Sequence, residues 1–248
     1  MKKILSVLVL LVATEATAQI EINDNTRDRI NTLTTGSMNP GYSSFWGPPV
    51  KAGTVVGEVY LDTVWARGYV KLIQPIPAVG GTPQDSLGGL AMRYNVYSNE
   101  VEVLLDTYKD VKAIPGNRIK YFSVQRNGQP IRLVNVENYP SDKTPKGFYE
   151  VLADGKLMLL QNYRVRVQKP TYNAAVGVGE KDHRFSVETD WYVAHNGQAE
   201  KWSPSKKAVL QLMKDREKEV SNYLKNHQPD FKNQDDLVQL FAFYNGNN

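Results

Sequence analysis

The sequence contains no cysteine. This excludes a disulfide framework, a lipid anchor attached through an N-terminal cysteine, and a thiolate nucleophile. The fold must therefore be stabilised by its hydrophobic core without covalent cross-links. A chain of 248 residues is long enough to bury such a core in one large domain or two small ones.

Histidine is also scarce, and the three present (His183, His195 and His227) form no H-E-x-x-H motif or other helical ligand pair. There is no G-x-S-x-G elbow, and Gly177–Lys181 lacks the spacing of a phosphate-binding loop. The oxygen-rich stretch 23–28 lacks the glycine and the closing glutamate of an EF-hand. The sequence therefore predicts no catalytic residues, no metal ion and no cofactor.

Charge of one sign is not concentrated anywhere in the chain. There are 30 basic and 26 acidic residues, the net charge is +4, and both signs are interspersed. The isoelectric point near 9.0 is a mild bias rather than the basic patch of a nucleic-acid-binding protein. Nucleic acid is not an expected partner.

The N-terminus has the pattern of a secretory signal peptide. Lys2 and Lys3 precede an apolar run from Ile4 to Ala13, and Ala16-Thr17-Ala18 matches the signal-peptidase site. Ten apolar residues are too few to cross a bilayer, which needs about 20. We expect residues 1–18 to be removed, leaving a periplasmic or extracellular protein with no transmembrane segment.

The mature chain divides by composition into an arm and a body. Residues 19–53 are polar and then rich in glycine and proline, with Tyr42, Phe45 and Trp46 among them. We predict an irregular arm that packs over the body through these aromatic side chains. Residues 54–248 contain short strand-like runs followed by helical patterns, and we treat them as one domain.

Four hairpins are predicted from turn residues between β-type runs. Their central pairs are Ser98-Asn99, Asn127-Gly128, Asp154-Gly155 and Asn196-Gly197. Asn-Gly and Asp-Gly favour tight turns because both central residues adopt positive φ. Between the first strands, Gln74–Leu90 holds three prolines and two Gly-Gly pairs, which predicts a long surface loop.

The C-terminal region predicts two helices. Ser203 is placed as the N-cap of a helix reaching about Asn226, and Asn233 as the N-cap of a second helix closed by Asn245-Gly246. Each has an apolar stripe that must dock on the sheet, because helices of this length are unstable alone. The predicted fold is α+β: a mainly antiparallel β-meander, forming a curved sheet, a sandwich or a partial barrel, with two C-terminal helices docked on it.

Several segments resemble uncharacterised secreted proteins of the Bacteroidota. They are Arg93–Val103, Gly147–Leu152 with the following Asp154-Gly155-Lys156, and the ending from Ser205-Lys206-Lys207 through Lys214-Asp215 and Asp236-Leu237 to Tyr244-Asn245. The similarity spans roughly residues 55 to 245, with Gln74–Leu90 as an insertion. It implies a secreted protein from such a bacterium and implies no activity.

Aromatic and basic side chains are the candidate ligand-binding residues. Tyr42, Phe45, Trp46 and Trp65 lie in or near segments rich in glycine and proline, although core packing accounts for most aromatic residues. Arg164 and Arg166 share one face of an alternating strand. This basic face would suit an acidic glycan or a lipid headgroup, and it would equally suit an ordinary solvated surface.

Two carboxylate pairs are candidates for the acid and base of a hydrolase. Glu100 and Glu102 lie two apart on a strand, about 7 Å from each other, and Glu188 and Asp190 repeat the spacing. A solvated sheet face is the favoured interpretation of both. The leading hypothesis is a non-catalytic envelope or secreted binding protein that recognises a protein, glycan or lipid. The alternatives are a periplasmic carrier of an apolar ligand and a carboxylate-based hydrolase.

Overall fold

The computed structural model describes residues 55–76, 82–106, 110–173 and 175–246. The predicted signal peptide and the arm with Tyr42, Phe45 and Trp46 lie outside the described residues. The strands are β1 (Val55–Gly57), β2 (Ala66–Ile76), β3 (Gln84–Asn95), β4 (Glu100–Asp106), β5 (Asp110–Pro115), β6 (Ile119–Arg126), β7 (Gln129–Asn135), β8 (Phe148–Ala153), β9 (Met158–Gln168), β10 (His183–His195) and β11 (Gln198–Lys201).

These strands form one open sheet. Its order is β1-β10-β9-β8-β7-β6-β2-β3-β4-β5, and β11 pairs with β10. Every neighbouring pair is antiparallel except β1 and β10, which run parallel. The predicted α+β architecture, mainly antiparallel with C-terminal helices on the sheet, is confirmed. Strand β5 was not predicted.

All four predicted hairpins are present. Asn127-Gly128 and Asn196-Gly197 form two-residue turns with positive φ at both positions. The other two connections, between β3 and β4 and between β8 and β9, are four residues long. Each of these wider connections contains a residue with positive φ: Asn99 at 60° and Gly155 at 148°.

The prediction of a surface loop over Gln74–Leu90 is wrong for most of these residues, and positions 77–81 lie outside the described residues. Strand β2 continues through Pro75 to Ile76, and β3 begins at Gln84. The proline is tolerated because the pairing of β2 with β3 is interrupted between Lys71 and Ile76. Gly89 is the extra residue of a β-bulge, since Gly68 pairs with Leu90 and Tyr69 pairs with Gly88. Its φ of 70° explains the glycine.

The segment 55–61 connects two strands that are six places apart along the sheet. Its beginning pairs with β10, and further along Leu61 N donates to Tyr94 O at 3.0 Å while Val96 N donates to Val59 O at 2.8 Å. Gly57 makes the β10 contact possible: its φ is 110°, and a Cβ there would lie 1.9 Å from Phe185 O.

Three helices follow the last strand: α1 (Lys206–Leu212), α2 (Glu217–His227) and α3 (Gln234–Asn245). The single helix predicted from Ser203 is wrong, because Ser205 caps α1 and a 3₁₀ turn at Lys214–Arg216 separates α1 from α2. The second predicted cap is correct, since the Asn233 side chain accepts from Asp235 N at 2.8 Å. Gly246 ends α3 with a φ of 77°.

The core consists of three clusters. The first lies among β2, β3, β4 and β6, joined by Phe148 and Tyr163. In the second, the apolar stripes of the helices pack against one face of β9 and β10, as the sequence predicts. The third, on the opposite face, includes Tyr149, Leu160 and Tyr192. Neighbouring Leu159 and Leu160 therefore belong to different clusters, as strand alternation requires.

Buried tyrosines make stability sensitive to alkaline pH. Burial raises the pKa of Tyr94, and burial together with Glu150 raises that of Tyr163. The unfolded tyrosines ionise near pH 10, so above that pH the folded state holds more protons and the free energy of unfolding falls. We expect urea-unfolding curves to show this decline between pH 10 and 11.5, and Tyr94→Phe to make it shallower. Tyr172→Phe, at an exposed tyrosine, is the control; an unchanged slope in Tyr94→Phe would contradict the assignment.

Candidate functional site

Five charged side chains form a continuous row on the sheet face opposite the helices. In order they are Arg166, Glu188, Arg164, Asp190 and Lys201, which we call the charge ladder. Successive N–O distances are 3.3, 2.5, 3.2 and 2.9 Å. The register produces the row, because Arg164 pairs with Glu188 across β9 and β10.

The charge ladder changes the interpretation of Arg164 and Arg166. The sequence predicts a basic face, but both guanidiniums are paired with carboxylates of β10, so the surface alternates in sign. Arg164 and Arg166 remain 52% and 67% exposed. Exposed ion pairs contribute little to stability, typically about 0–1 kcal/mol. The ladder is therefore chiefly an ordered array of donors and acceptors facing solvent.

A pocket of about 720 Å³, lined by polar and apolar surface in similar measure, lies at one end of the charge ladder. Lys201 belongs to both, so pocket and ladder form one surface. The pocket lies between the loop that follows β7 and the β10–β11 hairpin. Its lining consists of Pro140, Ser141, Asp142, Lys143, Tyr192, His195, Gln198, Ala199, Glu200 and Lys201.

Backbone contacts hold the two walls of the pocket together. Ala199 N donates to Pro140 O at 3.1 Å, which fixes the loop to β11. Within the loop, Ser141 N donates to the Thr144 hydroxyl at 3.0 Å, and that hydroxyl donates back to Ser141 O. The pocket is therefore preformed by main-chain geometry rather than by long side chains.

Two hydroxyls near the pocket are buried: that of Ser141, which belongs to the pocket lining, and that of Tyr149, which does not. Tyr149 is fully buried and packs against the pocket residue Tyr192, with ring centroids 5.0 Å apart. Burial raises the pKa of Tyr149, and the nearby Ser141 hydroxyl lowers it by less. Neither hydroxyl makes a hydrogen bond of normal geometry to a described residue. The interaction of the two hydroxyls with each other offsets part of the cost of burying them.

The chemistry of the pocket suits a hydrophilic ligand. Its rim carries both signs, with Asp142 and Glu200 against Lys143 and Lys201. Its volume falls in the range of small-ligand sites, about 300–1,000 Å³. Because charged side chains line the rim, a ligand with polar groups fits the pocket better than a purely apolar one. Across the described ranges, no three His, Asp or Glu side chains converge as a metal site would require.

The environment of Glu102 differs from the solvated sheet face predicted from the sequence more than that of any other candidate residue in the described chain. Glu102 is 0% exposed rather than solvated, and its carboxylate accepts hydrogen bonds from Arg93 and Tyr60. Arg93 Nε donates to Glu102 at 2.8 Å, and its guanidinium lies 3.9 Å from the Tyr60 ring centroid and 4.4 Å from that of Trp65. Burial, and then the Glu102 charge, raise the pKa of Tyr60 to about 12. The predicted ligand-binding residue Trp65 thus packs on a cation of its own chain.

The two carboxylate pairs considered for hydrolysis belong to different clusters. Glu102 is bound by Arg93 and Tyr60, whereas Glu188 and Asp190 lie within the charge ladder. The structure thus brings Arg164, Arg166, Glu188 and Asp190 together and leaves Trp65 elsewhere. Sequence patterns did not identify Ser141, Tyr149, Tyr192 or Lys201, since none belongs to a local motif.

Among the described residues, no helix combines the length and the apolar character needed to cross a membrane. Comparison with protein-family models gives no matching family, and neither curated proteins nor solved structures give a match.

Proposed function

We propose that this chain is a non-catalytic binding protein, exported to the cell envelope or beyond, that holds a glycan with charged substituents in the pocket and along the charge ladder. The observation that carries the proposal is the continuity of the two features through Lys201. A pocket whose rim carries charges of both signs adjoins an exposed row of fixed charges. A long hydrophilic molecule can engage both at once.

A glycan is the proposed ligand because of the chemical groups that the pocket and the charge ladder present to solvent. Sugar hydroxyls donate and accept hydrogen bonds, which matches the Gln198 amide and the charged side chains of the pocket rim. Charged substituents of either sign find a counter-charge on the rim or the ladder. Because the backbone already fixes the walls, little ordering is required when a ligand binds.

Export is supported by the N-terminal pattern and by the resemblance to secreted proteins of the Bacteroidota. Both come from the sequence, and the predicted signal peptide lies outside the described residues. In that compartment, cell-wall and surface glycans are the abundant hydrophilic polymers. The proposal therefore places the pocket where its ligand class is present.

Native mass spectrometry of the protein purified from its own envelope fraction tests the proposal. We expect an added mass corresponding to a hydrophilic oligosaccharide, either co-purified with the protein or bound when soluble cell-wall glycan fragments are added. Lys201→Ala should lower the bound fraction about tenfold, because a charge-assisted hydrogen bond contributes about 1.5–3 kcal/mol.

The matched control is Lys225→Ala, which removes an exposed lysine from helix α2. It should leave the bound fraction unchanged. Equal occupancy in the two variants would overturn the assignment of the pocket. A wild-type spectrum with no added mass, even with the glycan fragments present, would overturn the proposed function.

A further inference from the structure

The connection between β9 and β10 is a small ordered hairpin, comprising residues 171–173 and 175–180, which we call the tip hairpin. Asn173 N donates to Val178 O at 2.8 Å, Gly177 N donates to Asn173 O at 2.9 Å, and Thr171 N donates to Glu180 O at 2.9 Å. Gly179 has a φ of 112°, and a Cβ there would lie 2.4 Å from Thr171 O. The backbone therefore fixes the shape of the tip.

This fixed shape displays apolar side chains to solvent. Val176 and Val178 are 66% and 68% exposed, and Tyr172 is 40% exposed. Single exposed apolar residues are ordinary, but clustered ones mark interaction sites. Four of the eight large apolar side chains exposed in the described chain lie between positions 167 and 178. The clustering is what requires an explanation.

Cations surround the base of the tip hairpin. Lys169 and Lys181 are exposed, and the Lys181 ammonium lies 4.5 Å from the ring centroid of Tyr172. Arg184 is paired with Glu180 at 3.1 Å. With Asp182 included, the base has three cations and two carboxylates. An apolar tip, a tyrosine and a cationic base thus follow one another along the hairpin.

We infer that the tip hairpin docks on a lipid bilayer with anionic headgroups. The two valines would enter the boundary of the acyl chains, while Tyr172 lies at headgroup level, as amphipathic aromatics do. Lys169 and Lys181 would then reach the phosphates through their flexible stems. A protein partner is disfavoured, because a stable interface buries about 800 Å² per partner, far more than a few tip side chains supply.

Membrane docking is independent of the pocket. The tip hairpin precedes the first residue of β10, whereas His195, at the pocket, is the last residue of that 13-residue strand. At about 3.3 Å per residue the tip hairpin and the pocket are about 40 Å apart, and the charge ladder extends from the pocket toward the tip as far as Arg166. The docked protein would hold its pocket away from the bilayer surface, and failure of one site would leave the other intact.

Vesicle flotation tests the inference with two sets of liposomes: phosphatidylcholine alone, and an equimolar mixture of phosphatidylglycerol and phosphatidylcholine. We expect the wild-type protein to float with the anionic vesicles. Val176→Asp combined with Val178→Asp should lower partitioning about a hundredfold, since each lost valine contributes about tenfold. Lys181→Ala should lower it about fivefold at low salt.

The matched control is Val64→Asp, at a valine that is also 66% exposed but lies before β2. It should float like the wild type, and thermal unfolding should show that every variant is folded. Absence of wild-type flotation, or equal loss in Val64→Asp, would overturn the inference. Equal binding to phosphatidylcholine alone would overturn the assignment of anionic headgroups.

Discussion

Replacing Arg93 with methionine is expected to lower the free energy of unfolding by about 3–5 kcal/mol, because it leaves a buried carboxylate without its counter-charge. Glu102 is completely buried. Two nitrogens of the Arg93 guanidinium, Nε and Nη2, each lie 2.8 Å from its Oε2. Tyr60 would be its remaining hydrogen-bond donor, at 3.1 Å. The change also removes the guanidinium from between Tyr60 and Trp65. Urea unfolding at pH 7 measures the loss.

A rescue variant distinguishes the charge effect from simple loss of packing. Adding Glu102→Leu to Arg93→Met replaces the buried pair with apolar groups, which is often nearly neutral. We expect the double variant to recover most of the lost stability. Arg132→Met, at an arginine half exposed and 3.7 Å from Asp154, should cost less than about 1 kcal/mol. If the double variant is no more stable than Arg93→Met, the unpaired charge of Glu102 is not the cause of the lost stability.

Replacing Phe148 with alanine is expected to cost about 3–5 kcal/mol, the usual range for a large aromatic side chain in a core. Phe148 is 1% exposed and meets Phe122 and Tyr94 in edge-to-face contacts, with ring centroids 5.0 and 5.3 Å apart. The three aromatic residues belong to β8, β6 and β3, which lie on both sides of the centre of the sheet, so a cavity at Phe148 affects several strands together. Chemical denaturation of the variant measures the effect.

Graded substitutions test the cavity argument for Phe148. Phe148→Leu retains much of the buried volume and should cost clearly less than alanine. Val64→Ala, on the exposed segment before β2, should change stability by no more than about 0.5 kcal/mol. A Phe148→Ala variant as stable as the leucine variant would show that the surrounding side chains close the space.

The sequence predicted those parts of the fold that depend on neighbouring residues. The Asn-Gly turns at 127–128 and 196–197 specify their hairpins because two adjacent residues must adopt positive φ. Asn233 caps its helix for an equally local reason. Errors arose where tertiary contacts determine the structure. The helix predicted from Ser203 is interrupted where Arg216 donates to the carbonyl of Tyr244 at 2.6 Å, a contact with α3.

The candidate site was partly predictable. Alternation placed Arg164 and Arg166 on one face and Glu188 and Asp190 on another strand, and both placements are correct. Their pairing depends on the register across a long β9–β10 connection, and no local pattern encodes that register. Glu102 could not be recognised as buried, because its hydrogen-bond donor Tyr60 lies 42 positions earlier. The pocket combines a loop and a hairpin that are distant in sequence.

The parallel pairing of β1 with β10 has a consequence for folding kinetics. Val55 is paired with His183, so the first strand of the sheet waits for one of the last to be synthesised. Contacts this distant in sequence slow folding, and sheets dominated by them fold in about milliseconds to seconds. Until then β1 exposes unpaired backbone groups, which favour association between chains. The risk of association through β1 therefore ends only when β10 has been synthesised and has paired with it.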